Sequence, residues 1–260
     1  MIIATWNINS VRLRLPLLRQ LIQQHRPDVI CLQETKVVDE LFPVDELQKE
    51  GYAHQFFSGM KSYNGVAILS REKLSDTGVH HWCGQRDCRH IAATLHNGLR
   101  LHNIYVPAGG YEPDVKKNPK FLHKLNFVEE QEKFWAKQKN KKSMIVGDLN
   151  IAPLEHDVWS HAQMKNVVSH TADEILRFTA WQKSAGMVDV MRALIPPAEK
   201  LYTWWSYRAP DWEKANRGRR LDHVWMSDDS AGMATRVHVL RDYRAAAQPS
   251  DHVPVLLEIE

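Results

Sequence analysis

Short runs of β-branched and apolar residues recur along the whole chain with helical patterns between them, and this rhythm most narrows the folds open to it. Strands are predicted at 2–6, 28–32, 65–70, 91–95, 101–106, 143–147, 221–226, 236–240 and 253–259. Pro16 opens a segment in which Leu17, Leu18, Leu21 and Ile22 share a helical face. Phe121, Leu125, Val128 and Trp135 repeat at helical spacing, and Thr171-Ala172-Asp173-Glu174 is a capping box that starts a helix running to Ala185. Several strands follow one another closely, as 91–95 and 101–106 do, which favours antiparallel pairing and predicts a layered α/β sandwich. No Gly/Ser linker or low-complexity tract divides the sequence, so residues 1–260 read as a single domain. A faint internal echo fits this picture. Ile2-Ile3-Ala4-Thr5-Trp6-Asn7-Ile8 and Met144-Ile145-Val146-Gly147-Asp148-Leu149-Asn150-Ile151 are both apolar strands ending in a polar group and Asn-Ile, as though two halves present polar strand ends at one shared edge.

A chain of 260 residues, 43% apolar and 25% charged, can build a core without covalent staples. Cys31, Cys83 and Cys88 are too few and too scattered for a disulfide framework, which suits a reducing compartment, and Cys31 sits in an apolar run as a core residue. His80, His81 and His90 flank Cys83 and Cys88, so a zinc site must be weighed there. The loose cysteine spacing and the lack of a second cysteine pair favour a solvated loop. Apolar runs such as Val66 to Leu69 fall far short of the roughly 20 residues a membrane span needs. The N-terminus lacks a basic leader and a cleavage site, so a cytoplasmic protein without a membrane partner is expected.

The formal charge is only +3, and its distribution is more informative than its size. Lys116, Lys117, Lys120 and Lys124 form one cluster and Lys133, Lys137, Lys139, Lys141 and Lys142 a second, both expected to be solvated faces. A third, Arg208, Lys214, Arg217, Arg219 and Arg220, is interleaved with Trp204, Trp205, Tyr207 and Trp212. Cations beside rings that stack on or wedge against bases suit a nucleic-acid strand.

Acids, amides and one histidine gather at the predicted strand ends: Asn7 and Asn9, Glu34, Asp148 and Asn150, Asp222, and Asp251-His252. Any one of them is ordinarily a turn former or helix cap, but their recurrence at successive strand ends points to a site. Carboxylate and amide oxygens are what a hard cation such as Mg²⁺ takes, with Glu34 the best ligand candidate. Asp222 and Asp251-His252 suggest a histidine whose tautomer a carboxylate fixes. No Gly-x-Ser-x-Gly elbow, Walker A loop or Gly-x-Gly-x-x-Gly is present, which argues against serine-hydrolase, nucleotide-triphosphate and dinucleotide chemistry. Tyr105 also reads as a strand tyrosine, Asn150 as a turn cap and His252 as a packed residue.

Trp6-Asn7-Ile8-Asn9, Leu32-Gln33-Glu34-Thr35, Asn103-Ile104-Tyr105-Val106-Pro107, Gly147-Asp148-Leu149-Asn150, Arg220-Leu221-Asp222-His223 and Ser250-Asp251-His252 occur in the order seen in the exonuclease III family of abasic-site endonucleases. The chain resembles that family from its first strand to its last. The resemblance implies a four-layer α/β sandwich of the DNase I-like type, two packed mixed sheets flanked by helices. It also implies a DNA phosphodiesterase using Mg²⁺ or Mn²⁺, with 3′-to-5′ exonuclease, 3′-end-cleaning and abasic-site activities. The implied partner of a monomeric enzyme is double-stranded DNA with nicks, 3′ ends or abasic sites. By the same analogy Glu34, Asn7 and Asp251 serve the metal. Asp148, oriented by Asn150, readies water, Tyr105 and His252 contact the phosphate, and Asp222 orients His252. Asn9, Arg12, Trp204, Arg208 and Leu221 hold substrate. Three positions depart from the family pattern: Ala108 follows Pro107 where an amide is frequent, Asn9 stands where some relatives have Asp, and Arg219 takes a place that is often apolar. Two alternatives remain: another hydrolase of the wider superfamily acting on RNA or phosphorylated small molecules, and a non-catalytic DNA-binding protein on the same scaffold.

Overall fold

A computed structural model describes residues 1–138 and 142–260, so Lys139 and Lys141 of the second basic cluster lie outside the described residues. The chain begins β1 (Ile2–Asn7), α1 (Leu15–His25), β2 (Val29–Gln33), α2 (Val44–Lys49), β3 (His54–Ser58) and β4 (Val66–Ser70). There follow β5 (Ser75–Trp82), β6 (Gln85–Thr94), β7 (Arg100–Ile104), α3 (Pro119–Trp135), β8 (Ser143–Asp148), α4 (His161–Met164) and α5 (Ala172–Ser184). The last third holds β9 (Met187–Asp189), α6 (Val190–Leu194), β10 (Trp204–Trp205), α7 (Trp212–Ala215), β11 (Gly218–Arg219), β12 (Asp222–Ser227), β13 (Ala234–Val239) and β14 (Val255–Ile259).

Two mixed six-stranded sheets result, ordered β13-β14-β1-β2-β4-β3 and β5-β6-β7-β8-β12-β9, with β10 and β11 pairing apart from them. Alternation along each strand sorts side chains into layers. Ile3, Cys31 and Ile68 of the first sheet pack with Ile91, Leu101, Met144 and Val224 of the second in the central core. Their neighbours Ala4, Ile30 and Leu69 turn outward onto Leu18, Leu21 and Ile22 of α1. On the other side Ile145 and Trp225 meet Phe127 and Trp135 of α3 and Phe178 and Trp181 of α5. This is the four-layer sandwich expected from the resemblance. Pro16 lies in the first turn of α1, and Thr171 and Glu174 form the reciprocal cap of α5 that the sequence announces.

Polar groups cross the central core where the sheets meet. Asn103 Nδ2 donates to the Leu32 and Ala67 carbonyls at 2.9 and 2.8 Å, and Gln33 Nε2 donates to Asn103 Oδ1 at 2.8 Å. These bonds tie the top of β7 to β2 and β4. Gly147 brings β8 equally close to its neighbour: its φ is +138° and a Cβ there would stand 2.0 Å from the Ile104 carbonyl oxygen. Only glycine fits between β7 and the residue that leads into Asp148.

Several expectations need correction. The stretch from His80 to His90 is no solvated loop but the turn and flanks of the β5/β6 hairpin, with Trp82 and His90 buried. β5 has exposed and polar positions throughout most of its length, so no apolar run marks it. Nitrogens of His80, His90 and His102 lie within 4.8 Å of one another, without either cysteine. Trp82 Nε1 approaches His90 Nδ1 at 3.2 Å, and an indole N–H can only donate. That places the proton of neutral His90 on Nε2, 2.9 Å from His102 Nδ1. Both nitrogens of His90 are thus engaged, so His90 and His102 form a hydrogen-bonded pair with the His80 ring stacked on His90 at 4.4 Å, rather than a cation cage. Lys124 of the first basic cluster is fully buried, paired with Glu174 at 2.5 Å, because the helix turns it inward. Arg220 is equally buried, with Asp157 and Asp189 at 2.8 and 2.6 Å, and cannot reach a strand of nucleic acid.

Candidate active site

β1 and β8, the two echoing strands, end beside each other at the tops of the two sheets. Asn7 Nδ2 donates to Glu34 Oε1 at 2.9 Å and to Asp148 Oδ2 at 2.8 Å, so one amide joins a carboxylate from each half of the molecule. Glu34 Oε1 also accepts from the Tyr105 hydroxyl at 2.8 Å, and Lys36 Nζ stands 2.7 Å from Oε2. Burial opposes a charge on Glu34, yet Lys36 and the bonds from Asn7 and Tyr105 outweigh it and hold this carboxyl below its ordinary range. Burial pushes the Tyr105 hydroxyl well up, and Glu34 adds to the rise, so Tyr105 stays a neutral donor. Asn9, Glu34 and Asn150 take φ of 48°, 51° and 54°. A left-handed backbone is easy for asparagine but costs glutamate roughly 1–2 kcal/mol, which the surrounding contacts must offset.

On the other side of Asp148, His252 Nδ1 lies 2.8 Å from Asp222 Oδ2 and its Nε2 3.5 Å from Asp148 Oδ2. Burial disfavours the imidazolium, but the Asp222 and Asp148 carboxylates prevail and raise His252 above its ordinary value. Burial likewise raises Asp148, countered by His252. Asn150 clamps Asp148 through its backbone N–H to Oδ1 at 3.0 Å and its amide to Oδ2 at 3.0 Å. Thr203 Oγ1 accepts the N–H of Leu221 and of Asp222 at 3.0 and 3.1 Å, fixing the start of β12. Asp222 Oδ1 is buried with no hydrogen-bond partner.

Glu34, Asn7, Tyr105, Asp148, Asn150, Asp222 and His252 therefore converge. Asp251 stands with a different set: its oxygens accept from Asn9 Nδ2 and Trp204 Nε1, both at 2.9 Å, and Asn9 Oδ1 accepts from Lys36 at 2.6 Å. Trp204 is half-buried and bridges to His252 through the backbone, and Leu221 is buried in a small cluster that Trp204 packs against. Arg12 and Arg208 are exposed, Arg208 lying over the Tyr111 ring at 5.1 Å. Arg219 covers Trp204 at 5.0 Å and donates to the Val168 carbonyl and Ser169 hydroxyl. The sequence reading missed Lys36, two positions beyond Glu34 in the same loop, where a cation beside a candidate carboxylate was a usable signal. It also missed Arg89, which stacks on Tyr105 at 4.7 Å from a segment that carried no strand signal.

The donor set is hard. Glu34 and Asn7 carry oxygens of the kind a divalent cation takes, Asp222 Oδ1 is buried without a hydrogen-bond partner, and among the described residues no cysteine joins a cluster spaced to hold a metal. Such an arrangement suits a divalent metal beside a carboxylate–imidazole pair.

The Endonuclease/Exonuclease/phosphatase family profile matches residues 4–252. Exodeoxyribonuclease III of Haemophilus influenzae is 31% identical, with 98% of each chain covered. A Neisseria 3′ phosphatase, solved bound to a product DNA hairpin, superposes with a TM-score of 0.92 at 32% identity over 100% of this chain and 99% of that one. An AP endonuclease from Archaeoglobus fulgidus gives a TM-score of 0.92 at 31% identity, again over 100% of this chain and 99% of the other. With the profile spanning nearly the whole chain, this protein belongs to the endonuclease/exonuclease/phosphatase family.

Proposed function

We propose that the chain is a divalent-metal-dependent DNA phosphodiesterase of base-excision repair, with 3′-to-5′ exonuclease, 3′-end-cleaning and abasic-site activities, acting on duplex DNA as a single-domain cytoplasmic monomer. The observation that carries the reading is Asn7, whose one amide sets the Glu34 carboxylate against Asp148 and so places a cation-binding oxygen group beside a proton acceptor. Glu34, with Asn7 and Asp251, would hold Mg²⁺ (or Mn²⁺), and that ion would supply positive charge against the non-bridging phosphate oxygens. Asp148 takes the proton of the attacking water. Among the described residues its Oδ1 accepts only the Asn150 N–H, which leaves a lone pair for that proton, while Oδ2 is held by Asn7 and Asn150. His252, kept cationic by Asp222, and the neutral Tyr105 hydroxyl face the charge that develops on phosphate. Binding falls to Asn9, Arg12 and Arg208, with Trp204 and Leu221 as apolar walls.

Arg219 favours 3′-end work over internal incision. Its guanidinium lies across Trp204 and is tied to the 168–169 loop, so the apolar wall open to an extruded sugar is narrow. A time course on end-labelled duplex carrying a nick with a 3′-phosphate and one abasic analogue, with and without EDTA, tests both points. Metal-dependent loss of the 3′-phosphate, faster than internal incision, is expected. Intact substrate in the presence of Mg²⁺ would overturn the reading.

A further inference from the structure

The active-site loops lean on a buried ammonium that no role above employs. Lys124 lies inside α3 with no exposed side chain, and its three protons have three takers: Glu174 Oε1 at 2.5 Å, the Asn150 carbonyl at 2.7 Å and the Ala108 carbonyl at 3.4 Å. The two carbonyls belong to the loops that leave β8 and β7. Glu174 extends the clamp to a third loop, since its oxygens accept the Ser169 N–H at 2.9 Å and the Thr171 N–H at 3.1 Å. Gly109, at φ +84°, lets the second loop lie against the lysine stem: a Cβ there would sit 2.8 Å from Lys124 Cδ. A buried ion pair costs desolvation that an apolar pair of similar volume avoids, so stability alone gives little reason for it. Position does. With its carbonyl fixed from below, Asn150 keeps its left-handed backbone and aims Nδ2 at Asp148 Oδ2, 3.0 Å away, and at the Val106 carbonyl, 2.9 Å away.

We propose that Lys124 is a positioning residue for hydrolysis, which acts through Asn150 by clamping the loop that holds the Asp148 carboxylate in register; the proposal rests on the phosphodiesterase reading. Lys124→Met alone would strand Glu174, so the test variant is Lys124→Met/Glu174→Gln, assayed on a nicked duplex with a 3′-phosphate. Its kcat is expected to fall at least about 30-fold, with KM and duplex affinity within about twofold, because a misaimed group slows the chemistry and leaves binding alone. In an Asn150→Ala background the same change should cost less than about threefold, since groups acting as one unit are not additive. A purely structural lysine would repeat its full loss there, and that result, or wild-type kcat in the folded double variant, overturns the proposal. Should the double variant not fold, Lys124→Gln, which keeps Glu174 partnered, carries the same readouts. If the unaltered chain cleaves no DNA, the phosphodiesterase reading fails by itself. Amide hydrogen exchange at 150–152 then decides: faster exchange in the variant upholds the clamp and unchanged exchange removes it.

Discussion

At the scale of single residues the site separates two carboxylates by their surroundings. Glu34 is ringed by donors, Lys36, Asn7 and Tyr105, that keep it ionised, whereas Asp148 lies deeper and is raised by burial, a rise that His252 offsets only in part. The first is suited to holding a cation and the second to accepting a proton. Their isosteric variants should therefore fail differently. Asp148→Asn is expected to lower kcat by about 10²–10⁴-fold at every metal concentration, the usual loss on removing a general base. Glu34→Gln should lose activity at low Mg²⁺ and recover much of it as the ion is raised, because the deficit lies in ion affinity. A metal titration of both, with melting curves to verify the fold, checks this. Recovery of Asp148→Asn with added ion, or none for Glu34→Gln, would reverse the two roles. Glu34 and its counter-charge Lys36 share one short loop, Gln33-Glu34-Thr35-Lys36, whereas only Asn150 is local to Asp148, and Asn7 and His252 reach it from distant segments.

At the scale of elements the β5/β6 hairpin is the part least visible in the sequence. Strand reading depends on apolar alternation, and β5 supplies little because it is an edge strand whose inward positions are filled by His80 and Trp82. β3 and β9 were missed as well, the first half-buried along its length and the second three residues long. The central strands β1, β2, β4, β8 and β12 were legible because both faces are covered and each carries a run of at least three apolar residues. The site was legible for a related reason: its groups stand just beyond these strands. The groups that clamp it, Lys124 on α3, Thr203 just before β10 and Arg89 on β6, carry no local pattern that marks them. Buried histidines on the hairpin and on other strands of the same sheet also set an acid limit. Burial holds His90 and His102 well below the ordinary histidine value, as it does His223 between β12 and α5. As pH falls through about 6.5 the unfolded chain gains protons that these folded sites refuse, so each histidine removes up to about 1.4 kcal/mol per pH unit. His252 has the opposite sign, its contribution complete below about 6.5 and lost as pH rises toward its elevated folded value. Thermal midpoints should thus drop on the acid side, and His102→Gln should flatten that limb while leaving the alkaline side alone. An unchanged acid slope in the variant would show that the stack does not titrate on unfolding.

At the scale of the whole molecule the charge is nearly balanced, at +3, so attraction to DNA must come from where the cations stand rather than from how many there are. Buried ion pairs remove Lys124, Arg192 and Arg220 from the count, whereas Arg12 and Arg208 remain exposed in loops contiguous with Asn9 and Trp204. The register of the first sheet supplies an internal control. Asn7 ends β1 at the site, while Ile2, at the other end, pairs with Glu258, and Glu258 pairs with Arg236 on β13. Five residue steps of strand span about 17 Å, beyond a Debye length of about 8–10 Å at ordinary salt. Duplex affinity should fall steeply with salt, and Arg12→Gln or Arg208→Gln should each reduce the log–log slope by about 1 and weaken all sequences alike. Arg236→Gln removes the same formal charge from the far end and should leave the slope unaltered. Fluorescence anisotropy of a nicked duplex in Ca²⁺, over a range of salt, reads all three variants. Equal effects from all three would mean that net charge, rather than the edge where the two sheets present their strand ends, draws the substrate in.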